Sequence, residues 1–253
     1  MFIPRLYPRR NPLRFLLWKL LLRKNGKFMA GLEGYFFGPS HGLNDYDTLV
    51  NYKKSHVKPD KQYSILPTVL AIAGNTDGRT IIDLGCGTGF FTLPFAEKAT
   101  CVYGIDNSAV QLSFAIQHPN VVYLKKDIFV DPLPLSDVII APFVVNYATT
   151  VPILRHLFQK LYSSLSVEGK LVIVVDLPNN KELQQFGASK KTLGAIADES
   201  ALQVDIFSGK EKICTLNAVY FTPQTIEQTL RLVGFKDITW HRPIISEEGV
   251  SLM

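Results

Sequence analysis

"IIDLGCGTGFFTL", residues 81–93, is the stretch whose reading decides the fold. Two isoleucines lead into Asp83, then Gly85, Gly87 and Gly89 stand at alternate positions before another apolar run. The pattern is a buried strand that breaks into a glycine turn and continues as a helix. Glycine carries no Cβ, so a turn of this kind lets another molecule approach the backbone closely.

The chain downstream repeats the alternation. Candidate strands are 80–84, 101–105, 121–124, 137–141 and 170–175, with helices near 89–98, 108–117 and 152–165 between them. Short Val- and Ile-rich runs separated by helices indicate an α/β protein with a doubly wound, mostly parallel sheet buried on both faces. Two further strand patterns, 212–221 and 235–242, flank a helical stretch Pro223–Val233, with Gly234 where a C-capping glycine belongs. Between the fifth and sixth strands, residues 176–211 read as an insertion over the carboxyl edge of the sheet, where ligands of such folds bind. Upstream, the pattern from Asp47 to Gly74 is helical. Asp60 is a candidate N-cap for a helix that Pro67 should kink.

The 253 residues are 47% hydrophobic and 19% charged, which fits a folded core and excludes a disordered chain. The formal charge is +5, yet eight basic residues and no acid lie before Glu33. Taking those eight from the 27 basic residues leaves 19 against 22 acidic ones, a net charge of −3 for the remainder. The body therefore lacks the basic excess of nucleic-acid binders. The basic segment is read as an N-terminal helix and linker, 1–45, ahead of a domain spanning 46–253. Its stretch 13–24 suits peripheral membrane contact. An organellar transit peptide and a helix packed on the domain are the other readings. Cys86, Cys101 and Cys214 form no CxxC pair and no metal-ligand spacing, so reduced thiols in a cytoplasmic compartment and no metal are expected.

Three ligands compete for the glycine turn. A phosphate-binding P-loop needs a lysine after its last glycine, but Phe90 and Phe91 follow Gly89. A dinucleotide fingerprint needs a glycine at position 90. Asp83, two residues before the turn, would also repel a pyrophosphate in a weakly screened crevice. The third ligand, S-adenosylmethionine, has no phosphate. It carries a sulfonium and an ammonium that acids can balance, and a carboxylate that backbone N–H groups can meet. Acids recur at the next two strand tips, Asp106 in "YGIDNS" and Asp127 in "LKKDIF". Asp106 could accept from ribose hydroxyls. Asp127 could accept from an adenine amino group, with the Ile128 N–H on a ring nitrogen.

On these residues, 80–241 resemble class I S-adenosylmethionine-dependent methyltransferases. "IIDLGCGTG", "GID", "KKDIF" and "PQTIEQTLRLVGFKDITW" are similar to that family's motifs. The resemblance implies a Rossmann-like, seven-stranded sheet with one reversed strand near the edge, "FKDITW" supplying the antiparallel one. It implies an enzyme holding S-adenosylmethionine through Asp83, Gly85, Cys86, Gly87, Gly89, Asp106, Asn107, Asp127, Ile128 and Phe143. "VNYATTVPILRHLFQKLYSSLSVEGKLVIVV" and "GFKDITWHRPIISEEG" are further similar to methyltransferases of the toxoflavin-synthase type, which modify nitrogen atoms of small heterocycles.

The acceptor is then a small molecule, with a membrane-held enzyme acting on a lipid or quinone and a non-catalytic cofactor-binding module as alternatives. "APFVVNYA", 141–148, follows the fourth strand and brings Asn146 and Tyr147 forward as acceptor-binding candidates. Tyr46 and Tyr52 could cover a sulfonium through cation–π contact, and Phe186 and Phe207 could wall the pocket. His56 and His241 are candidates for a general base. Methyl transfer from a sulfonium relies chiefly on positioning, so no catalytic dyad is required.

Overall fold

The computed structural model describes residues 43–49, 52, 58–176, 178 and 187–251, together with the backbone of 3–8. Its centre is a seven-stranded sheet. Five strands run parallel: β2 (Thr80–Leu84), β3 (Cys101–Asp106), β4 (Val121–Lys125), β5 (Ser136–Pro142) and β6 (Leu165–Val174). β1 (Ile3–Pro8) pairs antiparallel with β6 on one side and with β10 (Phe235–His241) on the other. The order is β10-β1-β6-β5-β2-β3-β4.

The sheet is doubly wound because its strands are apolar on both faces. Alternation sends Ile82, Leu84, Ile139 and Ile173 to one face, against Leu157, Phe158 and Leu161 of the helix Val151–Ser163. Ile81, Val138, Ile140 and Val172 face the other way, against Val69 and Ile72 of the helix Leu66–Ala73 and Phe95 of the helix Thr92–Ala96. The helix starts follow local chemistry. The Thr150 and Thr222 hydroxyls accept from the N–H groups three residues on, each followed by a proline in the first turn. Gly234 ends the helix Pro223–Val233 in the left-handed region, φ 116°, as expected. Asp60 accepts from Lys61 N–H at 2.8 Å, and the helix it opens changes from π to α winding at Leu66, next to Pro67.

Two expectations about strands are corrected. The stretch 212–221 is a strand but does not join the central sheet. As β9 (Glu211–Tyr220) it pairs antiparallel with β8 (Ser200–Ser208), which pairs with β7 (Ala188–Thr192), forming a separate three-stranded sheet. The seventh central strand is Ile3–Pro8, assigned from composition to the basic leader. It is also the strand reversed relative to the rest. "FKDITW" is antiparallel to its neighbour but shares the direction of the five. Residues 13–24 lie outside the described residues. Among the described residues no helix is long and apolar enough to cross a membrane.

The three-stranded sheet presents Ala188, Leu202, Val204, Ile206, Leu216 and Ala218 on one face, with Tyr46, Leu49 and Tyr52 packed against them. Asn44 fixes the segment 43–49 to β9: its amide donates to Asn217 O at 2.8 Å and its carbonyl accepts Asn217 N–H at 2.7 Å. Asp47 then reaches the loop after β3, where its carboxylate accepts from Ser108 Oγ and, at 3.1 Å, from Val110 N–H. The segment thus bridges the small sheet and the large one.

Candidate functional site

The carboxyl ends of β2, β3, β4 and β5 converge on a cavity of about 150 Å³. Its floor is the glycine turn. The N–H groups of Gly85 and Cys86 both donate to Ile105 O, at 2.7 and 3.1 Å, which ties the turn to the tip of β3. All three glycines have positive φ, 69°, 56° and 89°. A Cβ on Gly85 would lie 2.7 Å from Val144 Cγ2, and one on Gly89 would collide with the Tyr123 hydroxyl. A Cβ on Gly87 would meet nothing nearer than Gln111 Oε1 at 3.9 Å. Gly85 and Gly89 therefore serve internal packing, while Gly87 leaves space on the cavity side.

Asp106 joins the two strand tips. Its Oδ2 accepts from Gly87 N–H at 2.8 Å and its Oδ1 from Ser108 N–H at 2.9 Å. Burial nonetheless raises its pKa above the ordinary carboxylate value. Each oxygen keeps a further lone pair. Asp127 accepts from Phe129 N–H through Oδ1 at 2.8 Å, while Oδ2 is buried and has no hydrogen-bond partner among the described residues. Gln111 Oε1, on the same wall, is in the same condition. Buried acceptors left unmade cost about 1–3 kcal/mol each, so both oxygens are suited to meet donors from a ligand. Asn107, Ile128 and Phe143 complete the wall as the sequence suggested. Phe143 adopts φ 65°, rare for a residue with a Cβ, while its N–H donates to Val174 O at 2.8 Å.

Asp83 is placed differently from the expectation that it faces the ligand. It sits beneath the turn, 1% exposed, and is not part of the cavity wall. Strand alternation puts it on the face of Ile81, where Thr92 Oγ1 donates to its Oδ2 at 2.6 Å while Oδ1 has no hydrogen-bond partner among the described residues. Burial, with Asp106 adding repulsion, raises its pKa to about 7. Cys86 is buried beside it, and burial pushes its thiol up.

Neighbouring Tyr46 and Tyr52 meet Tyr147, from a distant part of the chain, at the cavity. Tyr46 and Tyr52 are edge to face at 5.1 Å, Tyr46 and Tyr147 at 6.2 Å, and the hydroxyls of Tyr46 and Tyr147 share a short hydrogen bond. The sequence named all three without indicating that they touch.

Beyond Phe143 and Tyr147 a second cavity opens toward the three-stranded sheet, sharing Tyr52, Lys61, Phe143 and Tyr147 with the first. Of its polar groups, Tyr52, Asn146 and Tyr147 were candidates from the sequence, whereas Lys58, Asp60, Lys61, Asp176 and Lys190 were not read as site residues. Lys190 and Asp176 form a buried ion pair. The Lys61 and Lys190 ammonium groups lie 5.7 and 5.4 Å from the centre of the Phe143 ring. "KPDK", 58–61, was legible only as a helix start, and nothing local in "ASKK", 188–191, signals a site.

Other candidates are corrected in part. Asn146 lines the second cavity, but it is 2% exposed and its amide is engaged within the fold. Nδ2 donates to Val219 O at 2.9 Å and Asp176 O at 3.4 Å, and Oδ1 accepts Asp176 N–H at 2.9 Å. His241 ends the edge strand β10, three positions from β5 in the sheet order, and belongs to neither cavity wall. At about 4.8 Å per strand that is roughly 14 Å away. Phe207 is buried but alternates away from Ile206, which does line the second cavity. His56 and Phe186 lie outside the described residues.

Comparison with known proteins follows the same lines. Residues 81–169 match the model of a methyltransferase domain. The "Probable S-adenosylmethionine-dependent methyltransferase CRG1" of Saccharomyces cerevisiae is 26% identical over 183 residues, 66% of this chain and 62% of that protein. A ubiquinone biosynthesis O-methyltransferase of Rhodopseudomonas palustris is 31% identical over 81 residues, 30% of this chain and 32% of that protein. The chain thus spans about three fifths of the first relative and a third of the second. Among solved structures, S-adenosylmethionine-bound CalS10, an amino pentose methyltransferase from Micromonospora echinaspora, is similar with a TM-score of 0.55. It is 18% identical, covering 76% of this chain and 90% of that one. The fold is the Rossmann-like methyltransferase fold.

Proposed function

We propose that this chain is an S-adenosylmethionine-dependent methyltransferase acting on a small-molecule acceptor, a nitrogen or oxygen of a heterocyclic or aromatic metabolite. The observation that carries this is the acid-lined crevice: Asp106 and the unpartnered Asp127 Oδ2 beside a glycine turn that is open at Gly87. Carboxylates so placed favour a cationic nucleoside and disfavour a diphosphate. The likeness to the methyltransferase-domain model and to the ubiquinone-biosynthesis O-methyltransferase supports it. The resemblance to toxoflavin-synthase-type enzymes favours a nitrogen heterocycle, and the O-methyltransferase relative an oxygen acceptor.

When bound, S-adenosylmethionine supplies a methyl group already activated by its sulfonium. Asp106 would hold the ribose hydroxyls on its spare lone pairs. Asp127 Oδ2 would accept from the adenine amino group, with Ile128 N–H available to a ring nitrogen. Tyr46, Tyr52 and Tyr147 would shield the positive charge and exclude water. Positioning of this kind accounts for much of the acceleration in a displacement with a good leaving group.

Calorimetric titration tests the assignment. The wild type should bind S-adenosylmethionine, and Asp106→Ala should lose about 100-fold in affinity, the scale of two charge-assisted hydrogen bonds. Binding of NAD or ATP in its place, or unchanged affinity in the variant, would sink it.

A further inference from the structure

We propose that a flat ring bearing a weakly acidic hydroxyl lies across the border of the two cavities, and that Lys58 Nζ accepts that proton as the oxygen attacks the methyl carbon. The inference rests on the methyl-transfer reading and names the acceptor class and the base.

Lys58 is 4% exposed and lines the cavity, and its ammonium has no ion-pair or hydrogen-bond partner among the described residues. The neighbouring charges are otherwise engaged. Asp176 is paired with Lys190, Asp60 caps the Lys61 N–H, and Lys61 lies against Phe143. The groups facing Lys58 are Lys61 and Asp60 on its own segment, Asp176 after β6, Lys190 on β7, Cys214 on β9 and Tyr147. Burial, reinforced by Lys61, lowers the Lys58 pKa to about 7, so the neutral amine is populated near neutral pH. Its stem packs closely on the Gly187 backbone: a Cβ there would lie 2.8 Å from Lys58 Cδ.

The rest of the cavity selects the ring. Phe143 and Tyr147 offer aromatic surface at its border with the first cavity, and Val204, Ile206 and Leu216 form an apolar wall opposite. The second cavity is about 50 Å³, room for the polar edge of a planar ring whose body lies at the shared border. The step balances. The hydroxyl proton moves to Lys58, an oxygen lone pair forms the new C–O bond, and the C–S bond breaks with its electrons returning to sulfur as a neutral thioether. The ammonium then yields its proton to solvent.

The test uses the full chain, S-adenosylmethionine and the probe 4-nitrophenol, whose phenolate absorbs visibly. Lys58→Met keeps the stem that packs on Gly187, and melting curves confirm that it folds. At about pH 6 the cofactor-loaded wild type should bind the probe as phenolate. Lys58→Met should bind the cofactor equally well but lose at least about tenfold in probe affinity and lose the phenolate band. A phenolate band that survives in Lys58→Met, or a cofactor-loaded wild type that does not bind the probe, overturns the inference. A wild type that fails to bind S-adenosylmethionine overturns the methyl-transfer reading first.

Discussion

Three glycines two residues apart do two different jobs. Each has positive φ, so alanine at any of them meets about 1–2 kcal/mol of backbone strain. At Gly89 it also strikes the Tyr123 hydroxyl, which is held by a hydrogen bond to Ile116 O at 2.9 Å. At Gly87 it strikes nothing in the protein. Gly89→Ala should therefore lower the melting temperature clearly more than Gly87→Ala. Gly87→Ala should lose the larger share of S-adenosylmethionine affinity, about tenfold or more, in calorimetry. Asp83 gives a second prediction at this scale. Its pKa, raised to about 7 by burial, leaves it substantially protonated near neutrality. A cation entering the crevice favours the charged form, so binding should release protons between about pH 6 and 8. Heats of binding in two buffers of different ionisation enthalpy will show the release, and Asp83→Asn should abolish most of it.

Among the elements, the parallel strands were legible because their runs are apolar, and in β2 and β5 both faces are buried. β9 was legible as a strand but not in its sheet, because alternation alone does not say which partner it meets. "IPRLYP" hid β1, since two prolines and an arginine argue against an interior strand. The register shift between Arg5 and Tyr7 marks where its pairing is irregular. Asn146 shows the same limit on the site. After a strand tip it looked like an acceptor ligand, yet it clips the end of β5 to Asp176 and to β9. Asn146→Ala strands a buried carbonyl and an N–H, so it should destabilise the fold by about 2–4 kcal/mol in urea unfolding. Tyr147 and Phe143 should then lose their fixed positions, with methyl transfer falling as a secondary effect.

For the molecule as a whole, the motif residues of the cofactor crevice were readable because they sit within a few positions of each strand tip. The lysine-lined cavity was not, because its groups come from the start of one helix, the end of β6 and a second sheet. Two buried groups give stability opposite pH trends. Asp83 has a raised pKa, so its contribution is complete below the unfolded carboxylate value and is lost as pH rises through about 7. Lys58 has a depressed pKa, so its contribution is present above the unfolded amine value and is lost as pH falls through about 7. Lys58→Met should consequently raise the melting temperature by a few degrees at about pH 6 and much less at about pH 10, as scanning calorimetry can check.

The placement of Ile3–Pro8 between β6 and β10 also bears on how the protein is made. Arg5 finds Val172, and Ile3 finds His241, only once those distant strands have been made. Residues 3–8 must therefore wait for two partners, of which β10 is made later. Nascent chains halted between β6 and residue 235 should leave that margin of the sheet open and recruit chaperones, whereas synthesis through β10 should seal it.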